Sequence, residues 1–469
     1  MSRRERVEHG LLAALQIAGR PLEQHSLLER MRRYCVPGVS IAVIDDGEIA
    51  WAGGYGEAIA GRSAAHATTR YQAASISKAV AAVGVLALVE HGAFDLDADV
   101  NSLLRSWRLP ESSHTADRPV TVRHLLSHTA GTTVPGFPGY PRTADLPSVA
   151  DILSGRGAAN TPAVESFAPP GTVSQYSGGG STIVQQLVAD VTGRDFAEVM
   201  SDLVLVPFGM VDSAYAQPLG VDRAARAAEG HGPTGAPVEG GHHVYPELQA
   251  AGLWTTVVDL ARWTICVQEI LRGDRTGPIS RATAHQMVTP VDVAGQPGPF
   301  GLGPELGGSG PLRRFGHSGS NEGFRSQVDG LVEQPLGAAI LTNAEGGTTL
   351  MGEIRRAIAA EYGWGAMDMF VVDVAQVDPE TLASYAGRYR GPFDRPLTLE
   401  FLDGELSSPA PYGRRRMLPL SATRFLDEET GATLEVHPAT AGGAHAVERI
   451  AVLVGDAELM SFAPVEVRS

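Results

Sequence analysis

Lysine is almost absent from this chain. Its 469 residues include 37 basic side chains, of which only one, Lys78, is a lysine. A guanidinium stays charged at any usable pH, so arginine can replace lysine wherever only a positive charge is needed. Chemistry that needs a deprotonatable amine forbids that replacement. The solitary lysine is therefore a candidate proton acceptor.

Cysteine and long apolar runs are also scarce. The two cysteines, Cys35 and Cys266, cannot build a disulfide framework or a four-ligand zinc site. No run of 18 or more apolar residues is present, which argues against a membrane-spanning helix. The N-terminal residues lack the cleavage pattern of a signal peptide, and we expect a cytoplasmic protein. We expect neither a metal nor a cofactor.

Positive charge is in deficit. The 53 acidic residues outnumber the basic ones, and the net charge is -16. Such a chain repels phosphate backbones and anionic headgroups, so we expect neither nucleic acid nor a membrane as partner. The expected partner is a small-molecule ester, amide or peptide substrate. The sequence does not indicate the oligomeric state.

Strand and helix patterns alternate along the first part of the chain. The turn pair Asp46-Gly47, flanked by alternating apolar residues, predicts a hairpin, and an almost wholly apolar run predicts a buried helix. The predicted elements are a leading helix at 11–19, the hairpin at 36–56, the buried helix at 79–89, helices at 181–192 and 257–271, strands at 328–332 and 338–341, and a helix at 348–362. They predict a domain over 1–365 of α/β (α+β) class, with one antiparallel sheet built from both of its ends and a helical insert between.

The pattern changes after an acidic, valine-rich linker at 365–380. Short strands then recur at regular spacing, which predicts a second, all-β domain over 375–469, either a sandwich or a small barrel. The predicted strands are 387–389, 397–402, 405–407, 417–420, 433–437 and 450–454. The run of three arginines at 414–416 is interpreted as a solvated loop of this domain.

A serine and the lysine open the predicted buried helix. In Ser75-Ile76-Ser77-Lys78 a spacing of three puts the Ser75 hydroxyl and the Lys78 amine on one face, one turn apart. The helix N-terminus offers free N–H groups to a developing oxyanion, and apolar surroundings lower the pKa of the amine. A serine at a helix start is more often only an N-cap. The presence of the only lysine three residues later favours the interpretation of Ser75 as a nucleophile.

Several short blocks resemble, in chain order, the serine β-lactamase and penicillin-binding protein superfamily. They are similar to its branch of class C β-lactamases, DD-peptidases, D-aminopeptidases and esterases. The blocks are VPGVS at 36–40, YQAASISK at 71–78, VRHLLSHTAG at 122–131, YSGGG at 176–180, PFGM at 207–210, AGLWTT at 251–256, HSGS at 317–320 and LTN at 341–343. Each block alone is weak, but their shared order is specific. The second domain more faintly resembles the lipocalin-like barrels appended to such hydrolases.

The resemblance implies a role for each motif. Ser75 would be the acylated nucleophile, Lys78 its proton partner, and Tyr176 a second general acid or base whose phenol pKa is lowered near the lysine. The backbone amides of Ser75 and Ser320 would form the oxyanion hole, at about 3 kcal/mol per donor. In the family the third motif, here 317–320 with Gly319, lies on the strand that walls the cleft. His128, in the supporting block, is interpreted as a structural hydrogen-bonding residue.

Two positions depart from the family pattern. Gly178 stands where an asparagine usually contacts the substrate amide, which puts amide recognition of the usual kind in doubt. His317 stands where true β-lactamases have lysine. A histidine at this position resembles the motif of DD-peptidases, D-aminopeptidases and peptide-cyclising thioesterases, so efficient penicillin hydrolysis is not expected. Arg325 could supply the missing charge to a substrate carboxylate. A structural ion pair is the equally weighted alternative.

The predicted activity is acyl transfer from an ester or amide to Ser75 and then to water, as in an esterase or a D-aminopeptidase-like hydrolase. One alternative is a cytoplasmic transacylase or peptide-cyclising thioesterase of secondary metabolism, which passes the acyl group to an amine or alcohol. Another is an inactive binding module that keeps the fold. The retention of Ser75, Lys78 and Tyr176 favours an enzyme.

Overall fold

The computed structural model describes residues 1–365, 369–392, 396–411, 413–439, 446–454 and 457–465. The chain forms two units. One is Val36–Thr348, called here the central unit; the other, the terminal unit, combines Met1–Cys35 with Thr349–Ser469. The terminal unit differs in extent from the predicted second domain. It also includes residues 1–35 and 349–365, which the sequence analysis assigned to the first domain.

An antiparallel sheet of seven strands forms the frame of the central unit. Asp46 and Gly47 both have positive φ, as a tight hairpin turn requires, so the predicted hairpin forms. The first strand of the hairpin, Gly38–Asp45, also pairs with Gly337–Thr342 from the other end of the unit. The strand order across the sheet is Glu305–Gly307, Arg314–Asn321, Phe324–Leu331, Gly337–Thr342, Gly38–Asp45, Glu48–Ile59 and Ser63–Ala64.

Helices and short strand pairs fill the sequence between the two ends of this sheet. Tyr71–Gln72 pairs with Trp254–Thr255, and Asp292–Val293 pairs with Gln296–Pro297. The α-helices are Ile76–Glu90, Val100–Leu103, Val122–Leu126, Val149–Ser154, Gly178–Thr192, Phe196–Met200, Val221–Ala224, Leu248–Ala251, Val257–Arg272 and Arg281–Met287, with a π-helical turn at Ser201–Leu205 and a 3₁₀ turn at Gly310–Leu312. The predicted sheet with a helical insert is confirmed.

The helix Ile76–Glu90, called here the nucleophile helix, lies at the centre of the apolar core. Thirteen of its fifteen residues are buried, so its surroundings are apolar on every side. Gly84 allows this packing, because a Cβ at this position would lie 2.8 Å from the Met200 side chain. The prediction of a buried helix is confirmed.

The terminal unit is built from both ends of the chain. Leu15–Ile17 and Phe370–Val372 form a parallel pair, and Leu11–Leu12 pairs with Gln24–His25. Its α-helices are Arg3–His9, Leu27–Arg33, Gly347–Tyr362 and Pro379–Ser384. The leading helix predicted at 11–19 is wrong: the helix ends at His9, because Gly10 caps it, and the apolar residues that follow form short strands. The predicted linker likewise contains a strand and a helix.

Eight antiparallel strands close into a barrel within the terminal unit, which confirms the all-β prediction and selects a barrel over a sandwich. The strands are Gly387–Arg390, Pro396–Leu402, Glu405–Ala410, Gly413–Pro419, Arg424–Asp427, Thr433–Pro438, Val447–Val454 and Ala457–Pro464. Two of them, Arg424–Asp427 and Ala457–Pro464, were not predicted. The arginines at 414–416 lie in a strand and form ion pairs with Glu400, Asp427 and Glu428, so the loop interpretation is wrong. Of the described helices, none is both long and apolar enough to cross a membrane.

A buried ion pair joins the two sequence segments of the terminal unit. Arg30 Nε donates to Glu353 Oε2 (2.7 Å), and Tyr34 Oη donates to Glu353 Oε1 (2.8 Å). Glu353 is 1% exposed and Arg30 8%. Removing one partner of such a pair leaves an uncompensated charge in the interior.

We predict that Arg30→Leu destabilises the terminal unit by about 3–5 kcal/mol, because Glu353 loses its counter-charge. Chemical denaturation followed by circular dichroism measures the change. The matched control is Arg449→Leu, which removes an exposed pair with Glu458 at 3.0 Å and should cost less than about 1 kcal/mol. Equal shifts for the two variants would contradict the role given to Arg30.

Candidate active site

Ser75 follows a strained turn at the start of the nucleophile helix. The preceding segment is fixed, since Tyr71–Gln72 is paired in a sheet and Ala73 N donates to Leu253 O (2.8 Å). Ala74 then has φ 49°, in the left-handed region that residues other than glycine rarely adopt. Strain of this kind persists only where the surrounding contacts enforce it, and it is concentrated at functional sites.

The Ser75 hydroxyl bonds to Lys78 instead of capping its helix. No capping bond from this side chain occurs in the described structure, and Lys78 Nζ donates to Ser75 Oγ (3.1 Å). The same amine donates to Ala250 O (2.7 Å). Lys78 is thus held from two sides, with its nitrogen within proton-transfer distance of the serine.

Burial makes Lys78 a usable base. The side chain is 3% exposed, and this burial lowers the pKa of the amine to about 7. Desolvation disfavours the ammonium, and the carbonyl and hydroxyl that it contacts carry no negative charge. The direction is the one expected from the apolar helix. Near neutral pH a large fraction of the amine is free to accept a proton.

Tyr176 is close to this pair, but its phenol is not acidified. Burial raises the pKa of Tyr176 well above its ordinary value, and the nearby Ser75 hydroxyl offsets only part of that increase. Its Oη has no hydrogen-bond partner among the described residues. The expected lowering by the lysine is wrong, because burial of the phenol outweighs the stabilisation of its charged form by nearby groups. Tyr176 is therefore a protonated phenol near neutral pH.

Three other rings surround the Tyr176 ring. The ring centroid of His128 lies 4.3 Å from that of Tyr176, and those of Phe300 and His317 each lie 5.9 Å from it. Lys78 Nζ lies 4.9 Å from the Tyr176 centroid. Both histidines are neutral: burial and Lys78 lower the pKa of His128 well below its usual value and that of His317 to about 3.

His317 presents a lone pair and no charge at the position where the family's β-lactamases have lysine. His317 Nδ1 donates to Ser318 O (2.6 Å), which leaves Nε2 unprotonated. That nitrogen is buried and has no partner within the described part of the chain. The third motif therefore supplies a hydrogen-bond acceptor, which does not attract a carboxylate.

The strand Arg314–Asn321, called here the cleft strand, packs directly against the turn that precedes Ser75. A Cβ on Gly319 would lie 2.3 Å from Ala73 O and 2.0 Å from Ser326 Oγ, so only glycine allows this approach. Asn321 Nδ2 donates to Gln72 Oε1 (2.7 Å) from the same strand. Ser320 is exposed between them.

Two of the predicted substrate-contacting residues are engaged elsewhere. Gly178 is buried, and a Cβ on it would lie 2.9 Å from the Phe137 ring, so Phe137 fills the space of a larger side chain. Arg325 pairs with Glu345 and donates to Asn321 O (2.8 Å). Its neighbour Ser326 donates to Ala73 O (2.7 Å) on the nucleophile side, and successive strand residues point to opposite faces. The structure therefore keeps Arg325 away from Ser75 and favours the structural ion pair.

The sequence analysis missed two residues near this site. Phe300 contacts His128, with 4.7 Å between centroids, as well as Tyr176; no pattern in its Gly/Pro-rich loop indicates this. Glu247 is fully buried, and neither of its carboxyl oxygens has a partner among the described residues. Burial raises the pKa of Glu247 to about 7. It lies in the turn that carries Ala250, the acceptor for Lys78.

The chain matches a known protein family over most of its length. The family model described as Beta-lactamase matches residues 25–362, which is well over half of the chain. The chain belongs to the Beta-lactamase family. The resemblance inferred from the sequence is confirmed.

Individual relatives are distant. Penicillin-binding protein 4 of Amycolatopsis lactamdurans is 26% identical over 371 residues, which are 76% of this chain and 93% of that protein. The D-aminopeptidase of Brucella anthropi is 26% identical over 347 residues, 72% of this chain but only 60% of that enzyme, so the match spans less than two thirds of it. The octameric penicillin-binding protein homologue from Pyrococcus abyssi has a TM-score of 0.60 at 21% identity, with 93% of this chain and 98% of that chain covered. At that identity the likeness shows the fold alone.

We predict that Lys78 titrates near pH 7 in the folded protein, because burial disfavours its ammonium form. In protein labelled with ¹³Cε-lysine, a single side-chain resonance reports this titration without an assignment step, since there is one lysine. In urea-unfolded protein the same resonance should titrate at about 10.4. Identical midpoints in the two states would contradict the lowered pKa.

Proposed function

We propose that this protein is a serine hydrolase that forms an acyl-enzyme on Ser75 and cleaves an ester or amide. The observation that carries the proposal is the contact between Lys78 Nζ and Ser75 Oγ, at 3.1 Å, with the lysine side chain buried. A partly deprotonated amine beside a serine hydroxyl that does not cap its helix is the arrangement that general-base activation of a nucleophile requires.

In the proposed acylation step, Ser75 Oγ attacks the substrate carbonyl while its proton passes to Lys78 Nζ. The carbon–oxygen or carbon–nitrogen bond to the leaving group then breaks, and the leaving group takes a proton delivered by Lys78 through the Tyr176 hydroxyl. Water repeats the sequence on the acyl-enzyme and releases the free acid. The rate should rise with pH through about 7, because protonated Lys78 cannot accept the serine proton.

The oxyanion of each tetrahedral intermediate would accept hydrogen bonds from the backbone amides of Ser75 and Ser320. The close approach of Gly319 to Ala73 supports this pairing, since it holds the cleft strand beside the start of the nucleophile helix. Each such donor contributes about 3 kcal/mol to transition-state stabilisation.

The substrate proposed here carries no carboxylate beside its scissile bond. His317 is neutral and offers a lone pair, and Arg325 is paired with Glu345 on the other face of the sheet. Neither supplies the cation that a carboxylate-bearing β-lactam needs. The D-aminopeptidase among the relatives supports an amide of this kind.

We predict that a fluorophosphonate adds once, at Ser75, and that Ser75→Ala abolishes both labelling and hydrolysis of a p-nitrophenyl ester. Intact-mass spectrometry and absorbance at 400 nm measure the two effects. Lys78→Arg should be nearly inactive although it keeps the charge, because a guanidinium cannot accept the proton.

Ser77→Ala is the matched control for Ser75→Ala. The Ser77 hydroxyl is fully buried, accepts from Leu253 N (3.0 Å) and donates to Ala74 O (2.5 Å), so it is out of reach of the reagent and Ser77→Ala should still be labelled at Ser75. Labelling at Ser77, or full turnover by Ser75→Ala, would rule out the assigned nucleophile.

A second prediction separates hydrolysis from acyl transfer, the alternative activity. With a competent ester, millimolar amines should leave free acid as the main product, because an exposed acyl-enzyme reacts with abundant water. A transferase must keep water from its acyl-enzyme. Liquid chromatography with mass detection measures the product ratio, and a dominant amide product would favour the transferase.

A further inference from the structure

The ring and backbone of Tyr176 are held by contacts that do not involve its hydroxyl. Its Oη has no partner in the part of the chain that the structure describes, even though it is buried. A hydroxyl that relays protons must stay available to the reacting atoms, so the position of the ring has to be fixed through other contacts. The contacts that do this come mainly from one residue, His128.

His128 engages three consecutive residues around the tyrosine. Its carbonyl oxygen accepts from Gln175 N (2.9 Å), its ring lies 4.3 Å from the Tyr176 ring, and its Nδ1 accepts from Ser177 N (3.2 Å). A single residue thus contacts the backbone before the tyrosine, the tyrosine itself and the backbone after it.

The conformation of His128 indicates that these contacts are enforced. It has φ 58°, in the left-handed region, two residues after the end of helix Val122–Leu126, and it is 3% exposed. Because Nδ1 accepts a hydrogen bond, the ring proton lies on Nε2. Phe300 closes the other side, with its ring 4.7 Å from that of His128 at an interplanar angle of 73°.

Ser177 extends the arrangement into the next helix. It is the N-cap of helix Gly178–Thr192, with its hydroxyl accepting from Gly180 N (2.8 Å) and donating to Thr133 O (2.7 Å). The backbone of Tyr176 is therefore fixed between His128 and a capped helix.

We propose that His128 is a positioning residue that sets the Tyr176 hydroxyl for proton relay through a ring contact and the Ser177 N–H bond. This proposal rests on the proposed function in one respect only, namely that Tyr176 relays a proton in the reaction. It predicts that His128 affects the chemical step through the tyrosine and through no other group.

Two substitutions separate the ring contact from the Ser177 N–H bond and are compatible with the positive φ of residue 128. Glycine and asparagine both tolerate positive φ. His128→Gly removes the ring and the acceptor, whereas His128→Asn removes the ring but places a side-chain oxygen where Nδ1 was. We expect kcat for a p-nitrophenyl ester to fall about 100-fold in His128→Gly, the loss typical of a misplaced catalytic group. It should fall less in His128→Asn, with KM little changed in both.

A double-mutant cycle with Tyr176→Phe gives the decisive measurement. If His128 acts through the tyrosine, His128→Asn causes no further loss of kcat in the Tyr176→Phe background. An equal loss in both backgrounds, or unchanged kcat in His128→Gly, overturns the proposal. His124→Asn is the matched control: His124 is a buried histidine of the same sequence block that bonds to Thr121 at its own helix start, and its loss should leave kcat unchanged.

A readout independent of turnover separates this proposal from the proposed function. In protein labelled with ¹³Cζ-tyrosine, the Tyr176 signal is identified by its absence in Tyr176→Phe. Loss of a ring at 4.3 Å should move that signal in His128→Asn but not in His124→Asn. If the parent enzyme lacks Ser75-dependent turnover, the proposed function fails. The signal alone then decides: a shift supports the positioning contact, and an unmoved signal overturns it.

Discussion

An amine kept from water and placed against a serine hydroxyl is the interaction on which the central unit depends. Lys78 contacts two neutral oxygens, Ser75 Oγ and Ala250 O, and no counter-ion among the described residues. Keeping an amine in such a place is unfavourable for its charged form, so the surrounding apolar helix determines its protonation state. The strained turn at Ala74 and the glycine contact of the cleft strand hold the serine at this amine.

The whole site is close to electrically neutral. Tyr176 is a protonated phenol, His128 and His317 are neutral imidazoles, and Lys78 is partly deprotonated. In such a setting protons move among groups that differ little in charge, so hydrogen-bond geometry matters more than Coulomb attraction. Such a setting favours residues that fix geometry, which is the role proposed for His128.

The sequence predicted the elements whose patterns are local. The spacing of Ser75 and Lys78, the hairpin turn at Asp46-Gly47 and the apolar run of the nucleophile helix all depend on neighbours within a few residues. It failed where partners are distant in the chain. The ion pairs of the arginines at 414–416, the engagement of Arg325 by Glu345 and the ring contacts of Phe300 depend on which segments meet. The direction of the Tyr176 pKa was mispredicted for the same reason, because burial is a property of the assembled site.

The discontinuity of the terminal unit affects the order in which the chain acquires structure during synthesis. All groups of the candidate site lie within Val36–Thr348, an uninterrupted stretch. Arg30, by contrast, meets Glu353 only after 323 further residues have been added. At 5–20 residues per second this delay is roughly 15 to 65 seconds. A ribosome-bound chain halted near residue 348 would therefore contain every residue of the site, while its first 35 residues would still lack the partners that lie beyond residue 348.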